Sequence, residues 1–100
     1  MAKYRRKKPV IVNAFQYKRD RYNVNAEYCI PSWAVKAHLE GVIYFEKYDG
    51  NPHELFVKTP DGARRVLVGD YIVLEETGEI HRCSSEIFNH MYEEVDNETD

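Results

Sequence analysis

Turn chemistry constrains this chain more than any other feature. Four short segments, Asp49-Gly50-Asn51-Pro52, Pro60-Asp61-Gly62-Ala63, Gly69-Asp70 and Thr77-Gly78-Glu79, each interrupt a run rich in β-branched and aromatic residues. Proline presets φ, aspartate accepts backbone hydrogen bonds at a turn, and glycine adopts a positive φ at no steric cost. The runs between these turns are too short for helices and have the composition of strands. Strands joined by such tight connections must pair antiparallel, because a parallel pair needs a crossover of a dozen residues or more.

The remaining segments complete the pattern. "VIVNAFQY" (10–17) reads as a strand, with Val10, Val12 and Ala14 on one face and Ile11, Asn13, Phe15 and Tyr17 on the other. Both faces are partly apolar, which predicts a central position in a sheet. Residues 18–29 show no period and are expected to connect. A short helix is predicted from Pro31 to Glu40. Pro31 suits its first position, Trp33, Ala34, Ala37 and the turn of His38 form an apolar stripe that lays Trp33 on the sheet, and Gly41 lies just past its end. Further strands are expected at 42–48, 54–59, 64–68, 71–76 and 79–83. Ser84 then caps a second helix, with Glu86 in its first turn and Ile87, Phe88 and Met91 buried. Residues 91–95 are expected to close the domain as a last strand. Residues 66–95 read together as a self-contained meander with a helical plug. The predicted fold class is α+β: a small, mostly antiparallel sheet of about five to seven short strands with one or two short helices.

A length of 100 residues allows one domain. Such a domain buries roughly 60 to 70% of its unfolded surface, enough for one core. The expected division is a basic arm at 1–8, a single domain at 9–95 and an acidic tail at 96–100. Apolar residues at 43% and charged residues at 31% exclude a disordered chain. No apolar run approaches the ~20 residues that span a bilayer. The opening "MAKYRRKKPVIV" lacks the apolar length and small-residue cleavage site of a secretory leader, so a cytoplasmic location is expected. Two cysteines agree with that, as reduced thiols; a Cys29–Cys83 bridge is the sharper alternative. The net charge of −3 hides an asymmetry. Residues 1–21 carry eight Lys and Arg against one Asp, while residues 93–100 carry five acids and no base. Oppositely charged ends favour contact between two copies, or with separate partners.

No motif specifies a reaction. His81 and Cys83, on one face of a strand, could join His90 or His38 at a metal, but nothing completes zinc spacing, and surface and core roles are the plainer reading. Cys83, His81 and Asp70 could form a nucleophile, base and orienter, but no local signature marks this Cys, and Asp70 more simply caps its own turn. Glu75, Glu76 and Glu79 flank a turn as a solvated rim. The basic segment with Tyr4, Tyr17 and Tyr22 could grip phosphates and stack on bases, yet the chain is net acidic and holds no nucleic-acid fold motif. Eight Tyr, four Phe and one Trp exceed what so small a core requires, so some rings should serve an interface or a ligand.

Both ends of the chain resemble a group of small phage and prophage proteins. The resemblance rests on Tyr4, Arg5, Lys8, Pro9, Val10, Ala14 and Gln16, and on Gly69, Asp70, Tyr71, Ile72, Gly78, Glu79, Phe88, Tyr92 and Glu93. It covers roughly half of the chain, with residues 18–53 matching poorly. Val68 stands where the family often has Pro, and "RCSSEIF" departs from its Cys-x-Pro or Lys-Pro step. The resemblance implies a phage or prophage origin and an accessory, counter-defence role, with no catalytic residues to carry over.

The sequence therefore favours a non-enzymatic binding protein. It would sequester an anionic signalling nucleotide or block a host defence protein, and it would self-associate as a homo-oligomer. Alternatives are a small phosphodiesterase-type hydrolase and a nucleic-acid-binding accessory protein. No cofactor, metal or membrane is implied. The candidate ligand-binding residues are Arg5, Arg6, Lys8, Arg19 and Arg21 for charge, Tyr17, Trp33 and Tyr71 for stacking or packing, and Arg64 and Arg65 as a second basic pair.

Overall fold

A computed structural model describes residues 2–4, 10–18 and 30–95. Six strands and two helices follow one another: β1 (Asn13–Gln16), α1 (Ser32–Leu39), β2 (Ile43–Tyr48), β3 (Asn51–Thr59), β4 (Gly62–Val66), β5 (Tyr71–Leu74), β6 (Ile80–Cys83) and α2 (Ser85–Met91). The α+β class is the expected one. The strands divide between two three-stranded sheets, ordered β1-β5-β6 and β2-β3-β4, with every pair antiparallel. Their inner faces meet in one core. Ile43, Leu55, Val57 and Val66 come from one sheet, Ile72 from the other, Tyr17 from the end of β1, and Ala34 and Ala37 from α1.

The turns set the registers. Asp49 and Gly50 both have positive φ, 49° and 83°, as a two-residue hairpin with the twist of its strands requires. That hairpin is tighter than the expected 49–52 turn, because β3 begins at Asn51 and includes Pro52. The register slips between Glu46↔Glu54 and Tyr48↔Asn51, so the Pro52 region carries an extra residue. A bulge is where a strand tolerates a residue that cannot donate to the ladder. At the next hairpin Thr59 pairs Gly62 directly, leaving only Pro60 and Asp61 in the loop. This moves β4 to 62–66, in place of the expected 64–68, and leaves Leu67 and Val68 exposed.

Helix α1 ends in two bonds that satisfy its last carbonyls: Gly41 N–H donates to His38 O (3.1 Å) and Val42 N–H to Ala37 O (2.9 Å). Pro31 is the cap preceding the helix rather than its first residue. Ala34 and Ala37 bring the helix backbone close to the core, and Trp33 meets Phe15 edge-on at 5.6 Å, as the stripe predicted.

Four further expectations need correction. Among the described residues strand β1 is an edge, paired only with β5, and residues 10–12 lie outside it with Val10 and Ile11 exposed. The apolar content of its outer positions does not reflect burial between two neighbours. Residues 66–95 are not self-contained, since β5 is completed by β1, and Tyr17 exchanges backbone bonds with Gly69 and Asp70 (both 2.8 Å). Helix α2 buries no residue. Ile87 and Met91 are exposed, and residues 92–95 form no strand. Its hold on the sheet is Phe88, stacked on Tyr71 at 3.9 Å and followed by Tyr92 at 4.9 Å. Among the described residues no helix is long and apolar enough to cross a membrane.

Candidate functional site

Strand β3 lies against β6 across the core, and this brings the β3–β4 hairpin beside the start of α2. Between them is a cleft of about 640 Å³. That volume falls within the range of small-molecule sites, roughly 300 to 1,000 Å³. One wall is the hairpin, with Thr59, Pro60, Asp61 and Arg64; the other is β6 and the entry to α2, with Glu79, His81, Arg82, Cys83, Ser84 and Ile87. Because β6 is an edge strand, side chains from both of its faces reach the same space.

The polar groups differ in what they have to offer. Among the described residues the Arg64 side chain has one hydrogen bond, a long one of 3.4 Å to the carbonyl of the preceding residue, and no carboxylate pairs with it. Arg82 gives one N–H to Asp70 at 3.3 Å and, among the described residues, keeps the rest of its fork. The Ser84 hydroxyl oxygen accepts from Ile87 N–H at 3.3 Å, as a helix cap should, which leaves its proton to donate. Thr59 has spent its proton on Gly62 O at 2.6 Å. Asp61 and Glu79 balance the two guanidinium charges. The cleft therefore suits a ligand with an anionic group for the arginines and donors of its own for the carboxylates.

The groups a catalyst would need are otherwise engaged. His81 Nε2–H donates to Glu75 at 2.8 Å. Asp70, 7% exposed, accepts from Leu67 N–H at 2.9 Å and from Arg82, so it closes its own turn as the sequence predicted and does not orient His81. Burial pushes the Cys83 thiol above its ordinary value, with Arg82 opposing and Asp70 adding to the rise. A thiol held protonated is a weak nucleophile. Among the described residues no group of three or more His, Cys, Asp or Glu side chains is placed to hold a metal ion. Cys83 is a free thiol, and the expected alternative of a bridge rests on Cys29, outside the described residues.

Of the residues the sequence singled out, Arg64 lines the cleft. Arg65 points to the opposite face of its strand, where its guanidinium sits 4.6 Å over the Tyr48 ring. Tyr17 is a core residue, Trp33 packs on Phe15, and Tyr71 is sandwiched with Phe88; none of the three lines the cleft. Arg5, Arg6, Lys8, Arg19 and Arg21 lie outside the described residues. Sequence reasoning did not single out Arg82 or Ser84, which also line the cleft. Arg82 lies between His81 and Cys83, the pair considered for a metal, and nothing local marks it. The chain matches no protein-family model, no curated protein and no solved structure.

Proposed function

We propose that this protein is a non-enzymatic binding protein that holds a small anionic ligand, of nucleotide type, in the cleft between the β3–β4 hairpin and β6. The observation that carries this reading is the convergence of Arg64 and Arg82, from different sheets, on one cleft that also offers a hydroxyl donor. A nucleotide supplies both halves of what the lining asks for: phosphate oxygens for the guanidinium forks and sugar or base donors for Asp61 and Glu79. Among the described residues the lining holds no Phe, Tyr or Trp, so the recognition proposed here rests on charge and hydrogen bonds. The engagement of His81, the protonated Cys83 and the structural duty of Asp70 favour holding over turnover. The likeness of the chain's ends to small phage and prophage proteins supports a setting in the host cytoplasm, where sequestering a signalling nucleotide would blunt a defence response.

Titration calorimetry with mono- and cyclic dinucleotides tests this. At least one should bind, and Arg64→Ala should weaken it roughly 10- to 100-fold, the worth of hydrogen bonds to a charged group. If no nucleotide binds, or if Arg64→Ala leaves the affinity unchanged, the assignment to this cleft is wrong.

A further inference from the structure

Helix α2 presents two stripes with different fates. Phe88 and Tyr92 face inward and stack toward Tyr71. Ile87, which also borders the cleft, and Met91, one turn on, are 55% and 58% exposed, and Val95 beyond them is 51% exposed. A seven-residue helix that buries no side chain has little support of its own, since isolated helices this short are unstable in water. The outward stripe is rimmed by Glu86, Glu93 and Glu94, all exposed. At the other end of the chain, Tyr4, Val10 and Ile11 are exposed at 93%, 44% and 57%, and the same segment carries Lys3, Arg5, Arg6, Lys7 and Lys8. The helix face is apolar with acidic neighbours, and the N-terminal sequence combines apolar residues with basic ones.

We infer that the outward face of α2 is the docking site for the basic N-terminal segment of a second copy of this chain. Complementary charge selects this pairing over α2 against α2, which would set three glutamates of one copy against three of the other. Exchanged reciprocally, the contact forms twice about a two-fold axis and closes as a dimer. It buries the stripe that α2 leaves uncovered, and its charged rim makes it salt-sensitive.

A charge-swap series read by sedimentation and light scattering on the full chain tests the inference. The unmodified protein should be a dimer that dissociates with dilution and with added salt. Ile87→Asp with Met91→Asp should weaken the dimer by roughly tenfold or more while circular dichroism stays unchanged. Arg5→Glu with Arg6→Glu and Lys8→Glu should do the same, and so should Glu86→Lys with Glu93→Lys and Glu94→Lys. The two charge sets combined in one chain should restore the dimer. A monomer at every concentration overturns the inference, since the segment then covers its own helix or none. So does a dimer that survives the Ile87 and Met91 replacements, or a failure of the combined charge sets to rescue association. Because Ile87 also borders the cleft, Met91→Asp alone is measured beside the pair; it and the charge sets replace no described residue of the cleft lining, so association is read separately from nucleotide binding.

Discussion

Replacing Asp70 tests how the two halves of the fold are joined. Its carboxylate accepts from Leu67 N–H at 2.9 Å and from Arg82 at 3.3 Å, while its backbone carbonyl accepts from Tyr17 N–H at 2.8 Å. One side chain thus fixes the turn from β4 into β5 at the point where β1 attaches. A hydrogen bond to an ionised acceptor contributes about 1.5 to 3 kcal/mol. The Arg82 side chain is 37% exposed, so that pair adds at most about 1 kcal/mol. Leu67 is exposed, so water can reach its N–H once the carboxylate is gone, which favours the lower end of the sum. Asp70→Ala should therefore cost about 2 kcal/mol. In a domain of this size each kcal/mol lowers Tm by roughly 4 to 8 °C, so a fall of about 8 to 16 °C is expected. Asp70→Asn retains an acceptor for Leu67 N–H and should cost about half as much. Thermal and urea unfolding followed by circular dichroism measure both. A Tm shift under about 3 °C for Asp70→Ala, or equal losses for Ala and Asn, would refute the reasoning.

Other expectations follow from the same geometry. Gly69, at φ 98° in the turn closed by Asp70 N–H to Leu67 O, should lose about 1 to 2 kcal/mol as Gly69→Ala, from backbone strain alone since nothing lies within 4 Å of the added carbon; urea midpoints would show it. Phe88→Ala removes the contact between α2 and Tyr71, and hydrogen exchange should show amides of residues 85–91 losing protection before those of β5. Cys83 should alkylate more slowly than a free thiol at neutral pH, with its rate midpoint displaced upward. Because the unfolded thiol ionises first, the Cys83 contribution to stability is intact below the ordinary thiol value and is lost as pH rises through the higher folded value; Cys83→Ser should remove that part of the alkaline decline.

Local chemistry made much of the fold legible. The Asp-Gly and Pro-Asp-Gly signals placed both hairpins of the β2-β3-β4 sheet, Gly41 marked the end of α1, and Ser84 and Asp70 do what their side chains promised. What escaped the sequence depends on long-range placement. An edge strand such as β1 can be as apolar as a central one, because edge position leaves one side of the ladder open while its side chains still pack on the core, as Phe15 does beside Trp33. Likewise Ile87, Phe88 and Met91 are equally apolar in sequence, and only the approach of Tyr71 decides that Phe88 alone turns inward. Several of the aromatics expected at an interface or a ligand meet one another instead: Tyr44 stacks on Phe56 with Tyr48 edge-on to it, and Phe88 stacks on Tyr71 with Tyr92 tilted beside it. The cleft was half visible: Arg64 stood out beside its glycine turn. Arg82 joins it only because β3 crosses to β6, a contact that no local pattern encodes.

The central claim is that two guanidinium groups in one cleft hold a nucleotide-type ligand without altering it. Incubating the protein with the nucleotide it binds, stripping unbound ligand, denaturing by heat and weighing what is released by mass spectrometry tests this most directly. The account predicts intact nucleotide in near-stoichiometric amount, and little from Arg64→Glu protein. A hydrolysed product, or equal recovery from the two proteins, would contradict it.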